Sequence, residues 1–298
     1  MAINTGMSRP ASPADYERRP GLIRFLRGAS HLLPGEYLKT AFYLNCIDKP
    51  RRMLRDVLFS FYRYDHVYAV LREFAELHTP HFSILEFGTS DGYSFVKLLY
   101  ATRYLGLEQR VKVHTFDSFE GMPASNNTYD RNWMSGDDWA AGQFRGNYRA
   151  LQGYCAQRYS NYEIHPGYFE DSIHSAFLES LQEYPPVLIW IDCDYYTSAK
   201  TVLTRLINKI PNGAVIYFDD LDNLNFGSRL TGEARLVHEI NAGLLGENIE
   251  LVPDLRLSLH SRRIYRFMKI PPNRLLFDAD DPNDASQVRR RADGSPLP

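Results

Sequence analysis

From His81 onward the chain alternates short apolar runs, bounded by turn residues, with longer stretches of helical periodicity. The runs, at 82–87, 111–116, 162–165, 187–191 and 214–218, are strand-sized and apolar enough to be covered on both faces. Between them, 94–105, 144–158, 172–181 and 198–210 read as helices. Parallel strands need a crossover connection, so this rhythm implies a doubly wound α/β sheet. The runs 249–252 and 262–268 read as an antiparallel pair, giving a seven-stranded Rossmann-like sheet with a reversed final strand.

The flanks are different. Residues 1–35 are rich in Pro, Gly and Arg and read as an irregular arm. Over 51–77, Leu54, Leu58, Phe61, Val67, Leu71 and Phe74 fall at helical spacing, and Thr79-Pro80 stops that helix. From 271 the chain turns polar and is expected to be disordered. The expected organisation is therefore 1–80 as an N-terminal arm with helices, 81–270 as the sheet domain, and 271–298 as a tail. Basic residues such as Arg18, Arg19, Arg24 and Arg27 crowd the N-terminal region, which reads as a solvated arm or a homo-oligomer contact.

A formal net charge of −2 implies no nucleic-acid or strongly acidic partner. Three cysteines, Cys46, Cys155 and Cys193, give neither a disulfide framework nor a zinc spacing, so a reducing compartment is expected. There is no apolar stretch long enough to cross a bilayer and no secretory signal at the N-terminus, so the expected location is cytoplasmic.

Three motifs carry chemistry. In Glu86-Phe-Gly-Thr-Ser-Asp-Gly-Tyr-Ser94 a strand runs through a glycine-containing turn into a helix. Gly88, Ser90 and Gly92 let backbone approach a ligand, and the helix start offers free N–H groups. The stricter three-glycine dinucleotide pattern is absent. A carboxylate at Glu86 suits a cationic ligand, such as the sulfonium and amino groups of S-adenosylmethionine. The second motif is Asp117, at the end of the next strand, where a doubly wound fold grips ribose hydroxyls. The third is the pair of acidic strand ends, Asp192-Cys-Asp194 and Asp219-Asp220. They emerge one strand-helix-strand repeat apart at the same sheet edge. Converging carboxylates repel unless a cation or raised pKa values relieve them, and an all-oxygen set suits a hard ion such as Mg2+. The stretch 120–142, with Asn126-Asn127, Trp133 and Trp139, is long for a loop and reads as a lid or substrate loop. His114 reads as a satisfied core residue, while His165 ends a strand where it can face the cleft.

The order of these motifs resembles the macrocin-type O-methyltransferases, which act on sugars of macrolide and other antibiotics. Asp117-Ser-Phe-Glu-Gly-Met-Pro123 is similar to that family's Asp-Ser-Phe-Glu-Gly-Leu-Pro run. Gly167-Tyr-Phe-Glu-Asp-Ser172, Asp192-Cys-Asp-Tyr-Tyr-Thr-Ser198 and Asp219-Asp220 resemble further family segments. The resemblance implies a Mg2+-assisted transfer to a hydroxyl of a small-molecule acceptor, with Asp192, Asp219 and Asp220 as metal ligands. It implies Asp192 or Asp194 as the base. It also implies a cofactor site lined by Glu86, Gly88, Thr89, Ser90, Ser94, Asp117, Ser118, Tyr168 and Asp171.

Two rival classes share part of this pattern. A catechol-type O-methyltransferase uses the same strand ends but carries a lysine where this chain has Tyr195. A nicotinamide oxidoreductase would show the stricter glycine pattern and leaves Asp219-Asp220 unexplained.

Overall fold

The computed structural model describes residues 65–77, 79–134, 138–221, 227–246, 248–257 and 263–270. The N-terminal arm, the first part of the 51–77 helix, Cys46, residues 135–137 of the long loop and the tail from 271 lie outside the described residues. In chain order come α1 (Asp65–Glu76), β1 (Phe82–Phe87), α2 (Tyr93–Tyr104), β2 (Val111–Asp117), α3 (Tyr148–Ala156) and β3 (Tyr162–Pro166). There follow α4 (Phe169–Ser172), α5 (Ser175–Ser180), β4 (Pro186–Ile191), α6 (Tyr196–Leu206), β5 (Val215–Phe218), α7 (Gly232–Asn241), β6 (Ile249–Pro253) and β7 (Ile264–Lys269).

The seven strands form one sheet in the order β3-β2-β1-β4-β5-β7-β6. The first five are parallel to their neighbours, and β7 runs antiparallel to both β5 and β6. This is the doubly wound sheet with a reversed final strand expected from the sequence. Every residue of β1, β4 and β5 is buried, as a parallel sheet covered on both faces requires. Alternation along β1 sends Phe82 and Ile84 into one core, shared with α1, α2 and α3, and Leu85 and Phe87 into the other, shared with α6 and α7. Fully burying each such side chain contributes about 1.5–3 kcal/mol, so the central strands form a stiff base for the loops at their carboxyl ends. The described helix of the N-terminal region, α1, belongs to this core through Val67, Val70, Leu71 and Phe74.

The helices differ from expectation in places. The helix expected from 144 starts at Tyr148, because Asn147 caps it: its Oδ1 accepts the Ala150 N–H at 3.0 Å. The stretch 172–181 is not one helix. Ile173 is non-helical, and the His174 Nδ1 accepts the Phe177 N–H at 3.2 Å, which starts α5 afresh. The crossover helix α7 was absent from the expectation altogether. No helix among the described residues is long and apolar enough to cross a membrane.

Candidate active site

The carboxyl ends of β1, β2, β3, β4 and β5 meet at one edge of the sheet, and the motifs picked out in the sequence lie there, with Tyr168 and Asp171 following β3 at its flank. After β1 the chain turns at Gly88, whose φ of +93° lies in the left-handed region. A Cβ there would lie 1.7 Å from the Asp192 carbonyl oxygen. Only glycine allows the turn after β1 to pass so close to the end of β4.

Asp117 fastens that turn. Its Oδ2 accepts the N–H groups of Thr89 at 2.7 Å and Ser90 at 2.8 Å, and its Oδ1 accepts that of Phe119 at 2.6 Å. A carboxylate has roughly four acceptor sites, so most of this one anchors the turn, with a single oxygen only partly used. Thr89 is buried, with its hydroxyl against that of Thr115, and the Ser90 hydroxyl donates to the Phe144 carbonyl at 3.0 Å. Ser118 accepts the Glu120 N–H at 3.1 Å, closing the next turn. Tyr168 donates to Glu120 at 3.2 Å and follows Gly167, whose N–H donates to the Asp117 carbonyl. Asp171 is exposed on α4, and no contact draws it toward the turn.

Glu86 lies wholly buried beneath the turn. The Thr115 hydroxyl donates to its Oε2 at 2.5 Å, while Oε1 is left without a hydrogen-bond partner. Burial is the main cause of its pKa rising to about 8, with the charges of Asp192 and Asp117 adding to it and hydrogen bonds from Ser94 and Thr115 opposing it. A buried carboxyl with an unused oxygen, a side-chain-free Gly88 and a spare acceptor on Asp117 fit a ligand that brings positive charge and hydroxyl groups.

Beside this turn lies the acidic centre. One carboxylate oxygen each from Asp192, Asp219 and Asp220 lies within 4.8 Å of the others. Asp219 is buried and held by its neighbours: the Tyr217 hydroxyl donates to Oδ1 at 2.6 Å, and the Arg263 guanidinium donates to its carbonyl. The Trp190 indole reaches Asp192 at 3.3 Å. Two further carboxyls converge. Asp194 sits at a φ of +59°, and Glu233 is buried at the start of α7, its Oε2 accepting the Asp220 N–H at 3.1 Å. Burial, and after it the nearby Asp220 and Asp192 charges, drives the Asp194 carboxyl well above the usual carboxylate range. Burial likewise raises Glu233, with Asp220, Asp194 and Asp192 adding to it. So dense a set of oxygens fits a hard divalent cation.

The long loop roofs this centre. A narrow cleft, open to solvent, runs between loop residues Tyr129, Asn132 and Trp139 and the carboxyls of Asp194, Asp220 and Glu233. The loop is pinned down at Asp130, which accepts the Thr197 N–H at 2.9 Å and the Thr197 hydroxyl at 2.7 Å. Next to it the Tyr129 ring packs edge-on against Tyr196, under the Arg235 guanidinium. Tyr195 donates to the Trp139 carbonyl at 3.3 Å.

Sequence reasoning missed Glu233, Asp130 and the docking of Trp139 on the cleft. A signal existed for Glu233, since Thr231-Gly-Glu233 precedes Leu236 and Ile240 at helical spacing. Nothing in the sequence tied Asp130 to Thr197. The histidine expectations also change. His165 does not face the cleft: its ring lies flat on Phe116, 4.3 Å between centroids, on the face of the sheet. His114 is buried as expected but is not fully satisfied, because its Nε2 has no partner.

The sheet order and the reversed last strand are those of the class I methyltransferase fold. Residues 85–221 match the family model described as a methyltransferase domain. No curated protein sequence matches the chain. Among solved structures, the O-methyltransferase NovP is similar at 17% identity and a TM-score of 0.52, over 70% of this chain and 80% of its own. The calicheamicin methyltransferase CalS11 is similar at 18% identity and a TM-score of 0.52, over 87% of this chain and 93% of its own. At these identities the likeness is one of fold.

Proposed function

We propose that the chain is an S-adenosylmethionine-dependent O-methyltransferase that uses Mg2+ to methylate a hydroxyl of a small molecule, such as a natural-product sugar. The observation that carries this reading is the convergence of Asp192, Asp219 and Asp220 beside the Gly88 turn. The structural relatives, an O-methyltransferase and a calicheamicin methyltransferase, support the reaction type and a natural-product acceptor. The buried free cysteines Cys155 and Cys193 support a reducing, cytoplasmic setting.

The cofactor supplies the methyl group on its sulfonium. The turn 88–90, Glu86 and Asp117 would hold it, with Ser94, Ser118 and Tyr168 around them, while the exposed Asp171 takes no part in this arrangement. A bound Mg2+ lowers the pKa of an acceptor hydroxyl and helps to orient it. Asp192, Asp219 and Asp220 would hold that ion, and the Tyr217 and Arg263 contacts keep Asp219 in place before it arrives. Asp194, lining the cleft, would take the hydroxyl proton, with Asp192 the other candidate. These residues would thereby hold the deprotonated acceptor oxygen in line with the methyl group that the cofactor would supply. Tyr129, Asn132 and Trp139 shape the acceptor side, and the near contact of Gly88 with Asp192 fixes the distance between the two halves of the site.

The test is calorimetry with S-adenosylmethionine and S-adenosylhomocysteine, followed by a screen of glycosides and phenols with and without Mg2+. Micromolar binding corresponds to roughly 8 kcal/mol. Failure to bind either cofactor form would overturn the reading.

A further inference from the structure

Away from the active site, on the face of the sheet at its β2–β3 edge, three ligand-type atoms point at one another. His114 and Glu163 are register partners on β2 and β3, and His165 is the next residue of β3 on the same face. His114 Nδ1 lies 3.0 Å from His165 Nε2, and Glu163 Oε2 lies 3.5 Å from the first and 3.6 Å from the second.

These distances match a metal site. Four-coordinate zinc holds nitrogen and oxygen ligands about 2.0–2.2 Å away, which puts neighbouring ligand atoms roughly 3.4 Å apart. The triangle is therefore close to one face of a tetrahedron around such an ion. The ligand types agree as well, since two imidazoles and one carboxylate select zinc-like borderline ions over Mg2+. Burial holds both imidazoles neutral, His114 at a pKa of about 3 and His165 at about 4, so each keeps a lone pair at neutral pH. Lys112 pairs with the other Glu163 oxygen and turns Oε2 inward, as outer partners orient metal-bound carboxylates. Glu163 is 45% exposed, which leaves a route in and a fourth position for water.

We propose that His114, Glu163 and His165 form a zinc-type cation site that staples β3 to β2. The site is separate from the acidic centre and does not depend on the methyltransferase reading. Its setting gives it a task. β3 is the outermost strand on this side, and it leads into Gly167, whose N–H holds the Asp117 carbonyl at 2.9 Å. A staple here fixes the strand end beside the cofactor turn.

The test titrates Zn2+ into the full chain by calorimetry under saturating Mg2+, which occupies the acidic centre and competes poorly for imidazole. One equivalent of Zn2+ should bind, raise the unfolding temperature and persist in Asp219→Asn. His165→Gln and Glu163→Gln, at the accessible side of the cluster, should each weaken it at least tenfold. Co2+ should give the visible absorption of a four-coordinate ion in the wild type and lose it in His165→Gln. Wild-type affinity in both variants, or loss of the site in Asp219→Asn alone, would overturn the proposal. If His165→Gln proves poorly folded, Glu163→Gln decides by the same readout.

Discussion

A methyl group placed on Gly88 would lie 1.7 Å from the carbonyl oxygen of Asp192. The turn expected to hold the cofactor and the strand end expected to hold the metal are thus in backbone contact. Movement of one displaces the other, and Gly88→Ala makes this measurable. The variant must also take up a φ of +93°, which an alanine rarely adopts. It should unfold several degrees below the wild type in a thermal scan and lose cofactor affinity at least tenfold. Wild-type affinity would mean that the two strand ends are not mechanically joined.

Glu86 offers a pH test. Its pKa is about 8 in the folded chain against about 4.5 when solvated. Between these values the folded chain keeps a proton that the unfolded chain has released, so stability falls as pH rises from about 4.5 toward 8, by at most about 1.4 kcal/mol per pH unit. Glu86→Gln removes the penalty. Its unfolding temperature should gain on the wild type as pH is raised through this window, in the absence of cofactor. A constant difference across the window would refute the assignment.

The histidine pair gives the opposite slope. His114 and His165 are held to about 3 and about 4, below the ordinary value of 6.5. Under acid the unfolded chain gains protons that the folded rings refuse, so stability is lost as pH falls below about 6.5. With metal removed by a chelator, His165→Gln should soften this acid limb in unfolding scans from pH 7 to pH 4.

For the acidic centre, Asp219→Asn should abolish Mg2+-dependent turnover while S-adenosylhomocysteine binds within about twofold of wild type by calorimetry. Adding a chelator to the wild type should do the same. Loss of cofactor binding instead would assign Asp219 to the fold rather than to the cation.

Asp130 tests the roof. Asp130→Ala removes two hydrogen bonds to Thr197 and one from Ser125, each worth about 1 kcal/mol. The acceptor KM should rise about tenfold or more, with cofactor affinity little changed. An unchanged KM would place the acceptor elsewhere.

The sheet was legible because its information is local. Runs such as Phe82–Phe87 and Pro186–Ile191 announce burial on both faces, and the acidic residues after them need only chain order to reach one edge. What stayed hidden is what depends on side chains far apart in sequence. Asp117 looks like a ribose ligand, yet three backbone N–H groups from two turns converge on it. His114 and His165 each look unremarkable alone, and only the β2–β3 register puts them in contact. Asp130 meets Thr197 through a loop whose path no periodicity records.

The position of β7 bears on how the chain is made. It is the last of the described strands in chain order, yet it sits inside the sheet, between β5 and β6. Until 264–269 has left the ribosome, β5 presents an unpaired edge, and Asp219 at its end lacks the guanidinium of Arg263. The nascent protein can therefore complete the Gly88 turn well before it completes the acidic centre. A chain cut short before Arg263 would keep the first half of the site and leave the second open to mispairing.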